Sequence, residues 1–268
     1  MAIKIGFIGT GRMSSAMIGG ILSKGLYEND EIIGCAPSAE TRQRMTSEYG
    51  IKMYETAAEV AELTDFIVLG VKPIHVKPLF TEEGLKLGSS HLLMSIVAGM
   101  EIKTLSAYVP DAKIVRVMPN HCCLVGEGAA GYSRGPSATD EDVSKVEAVL
   151  SSSGLAVEVE ERDLDAITGI AGSSPAFMYM VIDAVADAGR WYGIPMEESI
   201  KLAAQSMLGA AKMVLETGKS PKELVDDVCS PGGTTIEGVR TLEESGLRDI
   251  FLSAVEASVE RSREMSKE

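Results

Sequence analysis

Residues 3–14 read Ile-Lys-Ile-Gly-Phe-Ile-Gly-Thr-Gly-Arg-Met-Ser, and this stretch decides the fold of the first half of the chain. The β-rich run Ile3–Ile8 predicts a strand, and helical spacing begins at Met13. Between them, Gly9 permits a tight turn and Gly11 lets a pyrophosphate approach the N-terminus of the helix. The alternative is a plain strand–helix turn. A position at the first strand, with a second strand about twenty residues on, favours a dinucleotide site.

Short apolar runs alternate with helical stretches up to about residue 160, and this alternation predicts a mostly parallel sheet. From Asp163 onward the strand signal disappears and apolar helices follow, the last over Leu247–Lys267. The predicted class is therefore α/β, with a Rossmann-type, mostly parallel sheet domain over 1–161 and an all-α domain over 162–268. Long helices with little polar covering indicate a partner subunit, although an ordinary core is the alternative.

Composition and charge narrow the classes of function. The 268 residues carry 39 acidic and 25 basic side chains, a net charge of −14, which argues against binding to nucleic acid or an anionic membrane. No apolar run reaches the ~18 residues of a membrane span, and the N-terminus lacks a signal-peptide layout. Four irregularly spaced cysteines indicate a reduced, cytoplasmic protein. His121-Cys122-Cys123 is a poor chelate, so no metal site is predicted.

The end of the second predicted strand bears on the coenzyme. An acidic residue there would favour NAD, because it binds the ribose hydroxyls. This chain instead has Cys35-Ala36-Pro37-Ser38, followed by Arg42 and Arg44. A hydroxyl and a guanidinium suit a 2′-phosphate, so NADPH is favoured over NADH. The alternative is that both arginines are solvated helix residues. Asn120, after a later strand end, is expected to face the nicotinamide, with a turn residue as the alternative.

A second candidate site lies between two predicted helices, where residues 229–236 read Cys-Ser-Pro-Gly-Gly-Thr-Thr-Ile. Successive small residues before a helix leave N–H groups that bind an anion such as a carboxylate. The alternative is an ordinary helix start with Thr234 or Thr235 as its cap. The residues alone do not decide between the two.

The same loop resembles the signature of the pyrroline-5-carboxylate reductases. Other motifs are similar to that family in order and spacing and span essentially the whole chain: Gly6-Phe7-Ile8-Gly9-x-Gly11-x-Met13, Val71-Lys72-Pro73, Ala98-Gly99, Gly172-Ser173-x-Pro175-Ala176 and Gly209-Ala210-Ala211-Lys212-Met213. The resemblance implies a Rossmann domain followed by a helical dimerisation domain, in a homodimer that often assembles into a ring of dimers. It also implies reduction of 1-pyrroline-5-carboxylate to L-proline with NADPH or NADH, the last step of proline biosynthesis.

Residue roles follow from the resemblance as well. Thr235 would contact the ring nitrogen of the substrate as the catalytic residue, and Glu161 matches a substrate-side position in some members. The expected substrate-binding residues are Glu161, Ser230, Gly232, Gly233, Thr234 and Thr235. The expected cofactor-binding residues, with Arg42 and Asn120 added from the arguments above, are Ile8, Gly9, Thr10, Gly11, Arg12, Met13, Ala36, Pro37, Ser38, Arg42, Gly70, Val71, Lys72, Pro73, Ile96, Val97, Ala98 and Asn120.

Departures from the family pattern and two alternative functions stay open. Asn120-His121-Cys122 stands where many members have Asn-Thr-Pro, Ser174 replaces a common glycine or alanine, and Asp227 sits where some members carry Asn.

A β-hydroxyacid dehydrogenase shares the architecture but uses a lysine in the first helix after the linker, and residues 169–200 contain no lysine. A nonenzymatic NADP-binding regulator would keep the Gly9 loop but has no need of the loop over 230–235.

Overall fold

The computed structural model describes residues 3–266, and its contacts divide the chain into two compact units. The sheet unit comprises the chain up to Ser173 and from Ala257 onward; the helical unit comprises Ser174–Glu256. The helical unit is therefore an insertion between two parts of the sheet unit. The predicted division into domains 1–161 and 162–268 stays a prediction. The last predicted helix ran to Lys267, which lies outside the described residues.

The sheet unit contains eight strands in the order β3-β2-β1-β4-β5-β6-β7-β8. Their bounds are β1 Ile5–Ile8, β2 Ile32–Cys35, β3 Lys52–Tyr54, β4 Phe66–Leu69, β5 Leu92–Ser95, β6 Lys113–Met118, β7 Gly128–Arg134 and β8 Gly154–Glu158. Every neighbouring pair is parallel except β6 with β7, which confirms the prediction of a mostly parallel sheet. Strand order reverses at β1, so the loops after β1 and β4 lie side by side at the carboxyl edge, where such sheets bind ligands.

Helices cover both faces of this sheet. They are α1 Arg12–Ser23, α2 Ala39–Tyr49, α3 Ala57–Ala61, α4 Pro73–Thr81, α5 Ile102–Tyr108, α6 Asp140–Ser151 and α7 Leu164–Ile167, with a π-helical turn over Thr168–Gly172. Successive strand residues point to opposite faces. Phe7 accordingly packs in one buried cluster with α1, α2 and α6, and Ile8 packs in another with α3, α4 and α5. These two cores hold the strand ends in fixed positions.

The helical unit is formed by α8 Ser174–Trp191, α9 Met196–Thr217, α10 Pro221–Val228, α11 Thr234–Glu244 and the first part of α12 Leu247–Met265. Helices α8 and α9 approach closely, because a Cβ built on Gly189 would lie only 2.5 Å from the Ser199 hydroxyl oxygen. Pro221 is the first residue of α10, and Gly218, in the left-handed conformation, is the C-cap of α9; both residue types are common at these helix positions.

Many large apolar side chains of the helical unit are exposed in the single chain. Met180, Leu202 and Leu215 are 72%, 63% and 74% exposed. By length and composition alone, one helical stretch of the described residues, Glu161–Trp191, is long and apolar enough to be a candidate membrane span. The stretch begins within the sheet unit, where Leu164 and Gly169 are buried. The prediction that the chain has no membrane span stays a prediction.

Candidate active site

The turn after β1 is tightly packed on one side and open on the other. Gly9 has a φ of 87°, and a Cβ on it would come within 2.9 Å of the Gly70 carbonyl oxygen. A Cβ on Gly11 would meet no atom within 4 Å. Gly11 is also the N-cap of α1, which has neither a side-chain cap nor an acidic residue in its first turn. The space over Gly11 is therefore open, and the first N–H groups of α1, at the positive end of the helix dipole, have neither a cap side chain nor a first-turn carboxylate beside them.

Ser14 occupies the position where the dinucleotide fingerprint carries its third glycine or alanine. Its side chain is buried, and its hydroxyl donates to the Gly9 carbonyl oxygen at 2.7 Å. Gly70 provides the room, because a Cβ there would lie 2.3 Å from the Ser14 hydroxyl oxygen. Serine is therefore accommodated at this position, because its hydroxyl forms a hydrogen bond within the loop and Gly70 leaves space for it.

Thr10 gives a further test of whether a dinucleotide fits this loop. Its hydroxyl is buried and has no hydrogen-bond partner among the described residues. Burying an unpaired hydroxyl costs about 1–3 kcal/mol, so such groups usually have a partner in the working state of a protein. Together with the open space over Gly11 and the uncapped helix, this orphaned group fits a phosphate-bearing ligand.

The segment after β2 lacks an acidic residue, and burial raises the pKa of the Cys35 thiol to about 11, so the strand end is uncharged. Ser38 is the N-cap of α2. The Arg42 guanidinium donates to the carbonyl oxygens of Ala36 and Pro37 at 2.8 and 2.9 Å, and pairs with Glu55 at 2.9 Å. It is braced against the loop rather than solvated. The prediction that it binds a 2′-phosphate stays a prediction.

Arg44 ties α2 to the phosphate loop. Its guanidinium donates to the Thr10 carbonyl oxygen at 3.2 Å and pairs with Glu48 at 3.1 Å. The two arginines therefore fix the two loops that the sequence assigns to the coenzyme.

Several predicted cofactor residues lie together at the carboxyl edge of the sheet. Residues 70–73 follow β4, residues 96–99 follow β5, and Asn120 follows β6. A cavity of about 410 Å³ within the sheet unit opens beside the last two of these segments. Its lining residues are Val97, Ala98, Gly99, Arg116, Val117, Met118, Leu164, Thr168, Ser173, Ala257, Ser258, Arg261, Ser262 and Met265. The sequence pointed to Val97 and Ala98, but gave no signal for Arg116 or the end of α12.

The end of α12 is held in this position by contacts within the sheet unit. The Ser262 hydroxyl donates to the Asp165 carboxylate at 2.6 Å. A Cβ on Gly99 would lie 3.4 Å from the Met265 carbonyl oxygen, so the two segments are in close contact. This wall of the cavity is therefore held by residues that are distant in the chain, since Ser262 and Asp165 are 97 positions apart.

Asn120 is buried and makes three internal hydrogen bonds. Its amide oxygen accepts from the N–H groups of Cys122 and Ala129 at 3.2 and 3.1 Å, and its amide nitrogen donates to the Ala171 carbonyl oxygen at 3.1 Å. The side chain thus joins the turn after β6, the start of β7 and the π-helical turn. The prediction that Asn120 contacts the coenzyme is not tested by these bonds.

Glu161 lies next to the cavity and already has two partners. One carboxylate oxygen accepts from the Ile102 N–H at 2.7 Å and from the Arg116 guanidinium at 3.0 Å. Its predicted role in substrate binding stays a prediction.

The predicted substrate loop belongs to the helical unit. The Gly233 N–H donates to the Ser230 carbonyl oxygen at 3.0 Å, and Gly232 has a φ of 71°. Proline at 231 followed by a left-handed glycine is typical of a type II turn. Helix α11 then begins at Thr234 with Gly233 as N-cap and no side-chain cap, so neither threonine caps the helix. The N–H groups of its first turn are left to bind an anion, beside the exposed Thr234 and Thr235 side chains.

No group of three or more His, Cys, Asp or Glu side chains within residues 3–266 could hold a metal ion. Burial also raises the pKa of the Cys123 thiol, which belongs to the 3-10 turn His121–Val125 after β6.

Comparisons with known proteins agree with this geometry. The family model for pyrroline-5-carboxylate reductase dimerisation matches residues 161–265, and that for NADP oxidoreductase, coenzyme F420-dependent, matches residues 4–99. The pyrroline-5-carboxylate reductase of Escherichia coli K12 is 40% identical over 268 residues, covering all of both chains.

Two solved structures extend the likeness to three dimensions. A pyrroline-5-carboxylate reductase from Coxiella burnetii matches with a TM-score of 0.92 and 29% identity over the whole of both chains. The Plasmodium falciparum enzyme, solved with NADP bound, matches with a TM-score of 0.83 and 33% identity over 98% of both chains. Because the likeness is full-length and includes both candidate loops, the chain belongs to the pyrroline-5-carboxylate reductase family.

Proposed function

We propose that this chain reduces 1-pyrroline-5-carboxylate to L-proline with NADPH as the hydride donor, the last step of proline biosynthesis. The observation that carries the proposal is the full-length likeness to reductases of that name, with both anion-binding turns intact. A β-hydroxyacid dehydrogenase activity and a nonenzymatic NADP-binding role are disfavoured by the same observation. NADPH is the proposed coenzyme because a relative holds NADP and the end of β2 lacks an acidic residue.

In the sheet unit, the turn over 9–11 would bind the pyrophosphate of the coenzyme through the first N–H groups of α1. The loops over 70–73 and 96–98 would line the path to the nicotinamide. When bound, NADPH supplies the hydride. The protein's contribution is orientation, because aligned reacting groups avoid most of the entropy cost of their encounter.

In the helical unit, the backbone N–H groups of the turn over 230–235 would bind the substrate carboxylate. The Thr235 hydroxyl would hold the ring nitrogen, so that the adjacent carbon faces the hydride donor. A protonated imine is a better hydride acceptor than a neutral one. A threonine hydroxyl is a weak acid, so we assign Thr235 an orienting and proton-relaying role rather than that of the ultimate acid.

We propose that the working unit is a homodimer formed through the helical unit, with a ring of dimers as a larger assembly. Exposed apolar side chains on α8 and α9 support this, because a monomer rarely leaves so much apolar surface in water. The region described as a dimerisation segment in relatives coincides with these helices. All four cysteines are free thiols, which supports a cytoplasmic location.

The test is to follow NADPH absorbance after adding 1-pyrroline-5-carboxylate, and to run parallel reactions without substrate and with NADP plus a 3-hydroxyacid. We expect oxidation only with the cyclic imine, and proline as the product by amino-acid analysis. Turnover of the hydroxyacid would support the dehydrogenase alternative. Tight NADPH binding with no turnover of either compound would support the regulator.

A further inference from the structure

We infer that Glu161 is a positioning residue: its carboxylate anchors the loop after β5, and through that loop it sets the alignment of the reacting groups. The inference rests on the proposed reductase function and gives Glu161 a different role from substrate binding. Its basis is a junction of three segments at a single carboxylate oxygen: the start of α5, the middle of β6 and the 3-10 turn that follows β8.

The first bond of the junction fixes the start of α5. Ile102 is the first residue of that helix, and its N–H belongs to the group that no helical carbonyl can satisfy. The N-cap residue, Glu101, supplies no side-chain bond, so the Glu161 carboxylate takes its place at 2.7 Å. A carboxylate at a helix N-terminus is also stabilised by the helix dipole.

The second bond neutralises a buried cation. Arg116 is only 9% exposed, lies in the centre of β6 and lines the cavity. Its guanidinium donates to the same Glu161 oxygen at 3.0 Å. Since an isolated buried charge is costly, each group holds the other in place.

The loop between these anchors is the one that lines the cavity. Residues 97–99 leave β5, whose ladder extends to the Ile96 N–H bonded to the Leu69 carbonyl oxygen at 3.0 Å. The far end of the loop is Ile102, and Gly99 between them has a φ of 69°. One end is therefore fixed by the sheet, and the other is held by the Glu161 carboxylate together with the buried Ile102 side chain. Loss of the carboxylate leaves the second end held by side-chain packing alone, so the backbone there can shift.

A displaced loop costs more in rate than in binding. Shifting a reacting pair by about 1 Å can lower the rate roughly 100-fold, while contacts elsewhere keep the ligands bound. Removal of the anchor should therefore reduce kcat with little change in the KM of either substrate. A residue that binds the substrate carboxylate or ring would instead raise the KM of the imine.

Two different substitutions remove the hydrogen bond between the Ile102 N–H and the Glu161 carboxylate, which makes the test specific to that bond. Glu161→Ala removes the acceptor, and Ile102→Pro removes the donor without touching Glu161 or Arg116. Proline suits the first position of a helix, and the extended backbone of Glu101 suits a residue before proline. Ile102→Ala is the matched control, since it loses the buried side chain but keeps the N–H.

Glu158→Gln is the second control. Glu158 lies three residues earlier and also accepts from an arginine on the neighbouring strand, Arg134, at 2.5 Å, but that pair does not line the cavity. We expect Glu158→Gln and Ile102→Ala to stay within about threefold of the wild-type kcat.

We expect Glu161→Ala and Ile102→Pro each to lower kcat by about 100-fold, with both KM values within about threefold of the wild type. Glu161→Gln keeps an acceptor and should recover at least about tenfold of that loss. The isotope effect on kcat with 4-deuterated NADPH should rise in both impaired variants, because hydride transfer becomes the slow step. The double variant should be no worse than the poorer single one. Thermal melting and NADPH affinity confirm folding.

Three results would overturn the inference: a raised KM for the imine with unchanged kcat in Glu161→Ala, an Ile102→Pro variant that equals Ile102→Ala, or additive losses in the double variant. Hydrogen exchange distinguishes failure of the inferred Glu161 anchor from failure of the proposed reductase reaction. If the wild-type protein does not reduce the imine, the reaction is wrong. Faster amide exchange over residues 97–101 in Glu161→Ala than in Glu158→Gln would still support the anchor, and equal exchange would refute it.

Discussion

The Ser14 hydroxyl and the Gly9 carbonyl oxygen, 2.7 Å apart, join the two ends of the turn after β1. The bond gives the partly buried Gly9 carbonyl oxygen a hydrogen-bond donor within the loop itself. It also holds α1 against the strand, as the small third residue of the fingerprint usually does by close packing. The ligand-facing side, at Gly11, is left entirely free.

Substitutions at the two glycines should therefore separate stability from coenzyme binding. Gly11→Ala meets no neighbour, so it should lower the free energy of unfolding by less than about 1 kcal/mol. Its methyl group occupies the space assigned to the pyrophosphate, so NADPH affinity should fall by at least about tenfold. Gly9→Ala has a strained φ and a clash, and should lose more than about 2 kcal/mol. Chemical denaturation and fluorescence titration measure the two quantities; unchanged NADPH affinity in Gly11→Ala would contradict the assignment.

Thr235→Ala should lower kcat/KM by one to two decades, about 1.4–2.7 kcal/mol of transition-state stabilisation. The loss arises because the ring nitrogen is no longer held by a hydroxyl. Thr235→Ser keeps the hydroxyl and is the control expected to retain most activity. Steady-state kinetics with the cyclic imine measures both, and a fully active alanine variant would remove Thr235 from the mechanism.

Arg42→Ala combined with Arg44→Ala should raise the KM for NADPH much more than that for NADH, because only NADPH carries a 2′-phosphate. Glu55→Gln is the opposite change. It releases Arg42 from an opposing carboxylate 2.9 Å away and should strengthen the preference for NADPH by a few-fold. Equal effects of the arginine variants on both coenzymes would show that the arginines only brace the loops.

Asp142 should make stability depend on pH at the acid end. Burial alone would raise its pKa, but hydrogen bonds from the Thr139 N–H and hydroxyl, and from Lys113 at 3.0 Å, lower the pKa below its ordinary 3.8. The unfolded chain therefore takes up the proton first. The stabilisation is complete above pH 3.8 and is lost as the pH falls through the lower, folded value.

Asp142→Asn should accordingly lower the free energy of unfolding by about 2 kcal/mol near neutral pH, with the difference narrowing under acid conditions. Glu141→Gln, at an exposed neighbouring position, should change stability little. Denaturant unfolding across pH measures both. A difference between wild type and Asp142→Asn that did not depend on pH would contradict the argument.

Leu202→Glu should convert the proposed homodimer to a monomer, because the side chain is 63% exposed in the single chain and a buried carboxylate at a subunit interface is costly. Lys86→Glu also introduces a carboxylate, with a larger change of charge, at an exposed polar position of the sheet unit and should leave the assembly unchanged. Light scattering after size exclusion measures the mass. A dimeric Leu202→Glu protein would place the interface elsewhere.

Local pattern was enough to predict most of the fold. The strand after residue 4, the helix that begins near Met13 and the change from a sheet to helices after residue 160 follow the local sequence pattern, because apolar periodicity, proline and glycine mark these elements. The antiparallel pairing of β6 with β7 was not predicted, since periodicity within a strand carries no information about its neighbour's direction.

The site was harder to predict, because its contacts join distant residues. Arg116 and Ile102 reach Glu161 across 45 and 59 positions, and no local pattern announces either bond. Arg42 was identified as a basic residue near the coenzyme, but its carbonyl partners depend on the shape of the loop. The glycine turns were predictable because backbone conformation itself requires their residue type.

The insertion of the helical unit within the sheet unit has a consequence for synthesis on the ribosome. Residues 257–266 supply one wall of the cavity, yet they leave the exit tunnel after every helix of the inserted unit. A nascent chain therefore exposes α8 and α9, the helices of the proposed interface, before it can complete the wall of this cavity. The proposed contact with a second copy can thus form before the cavity does.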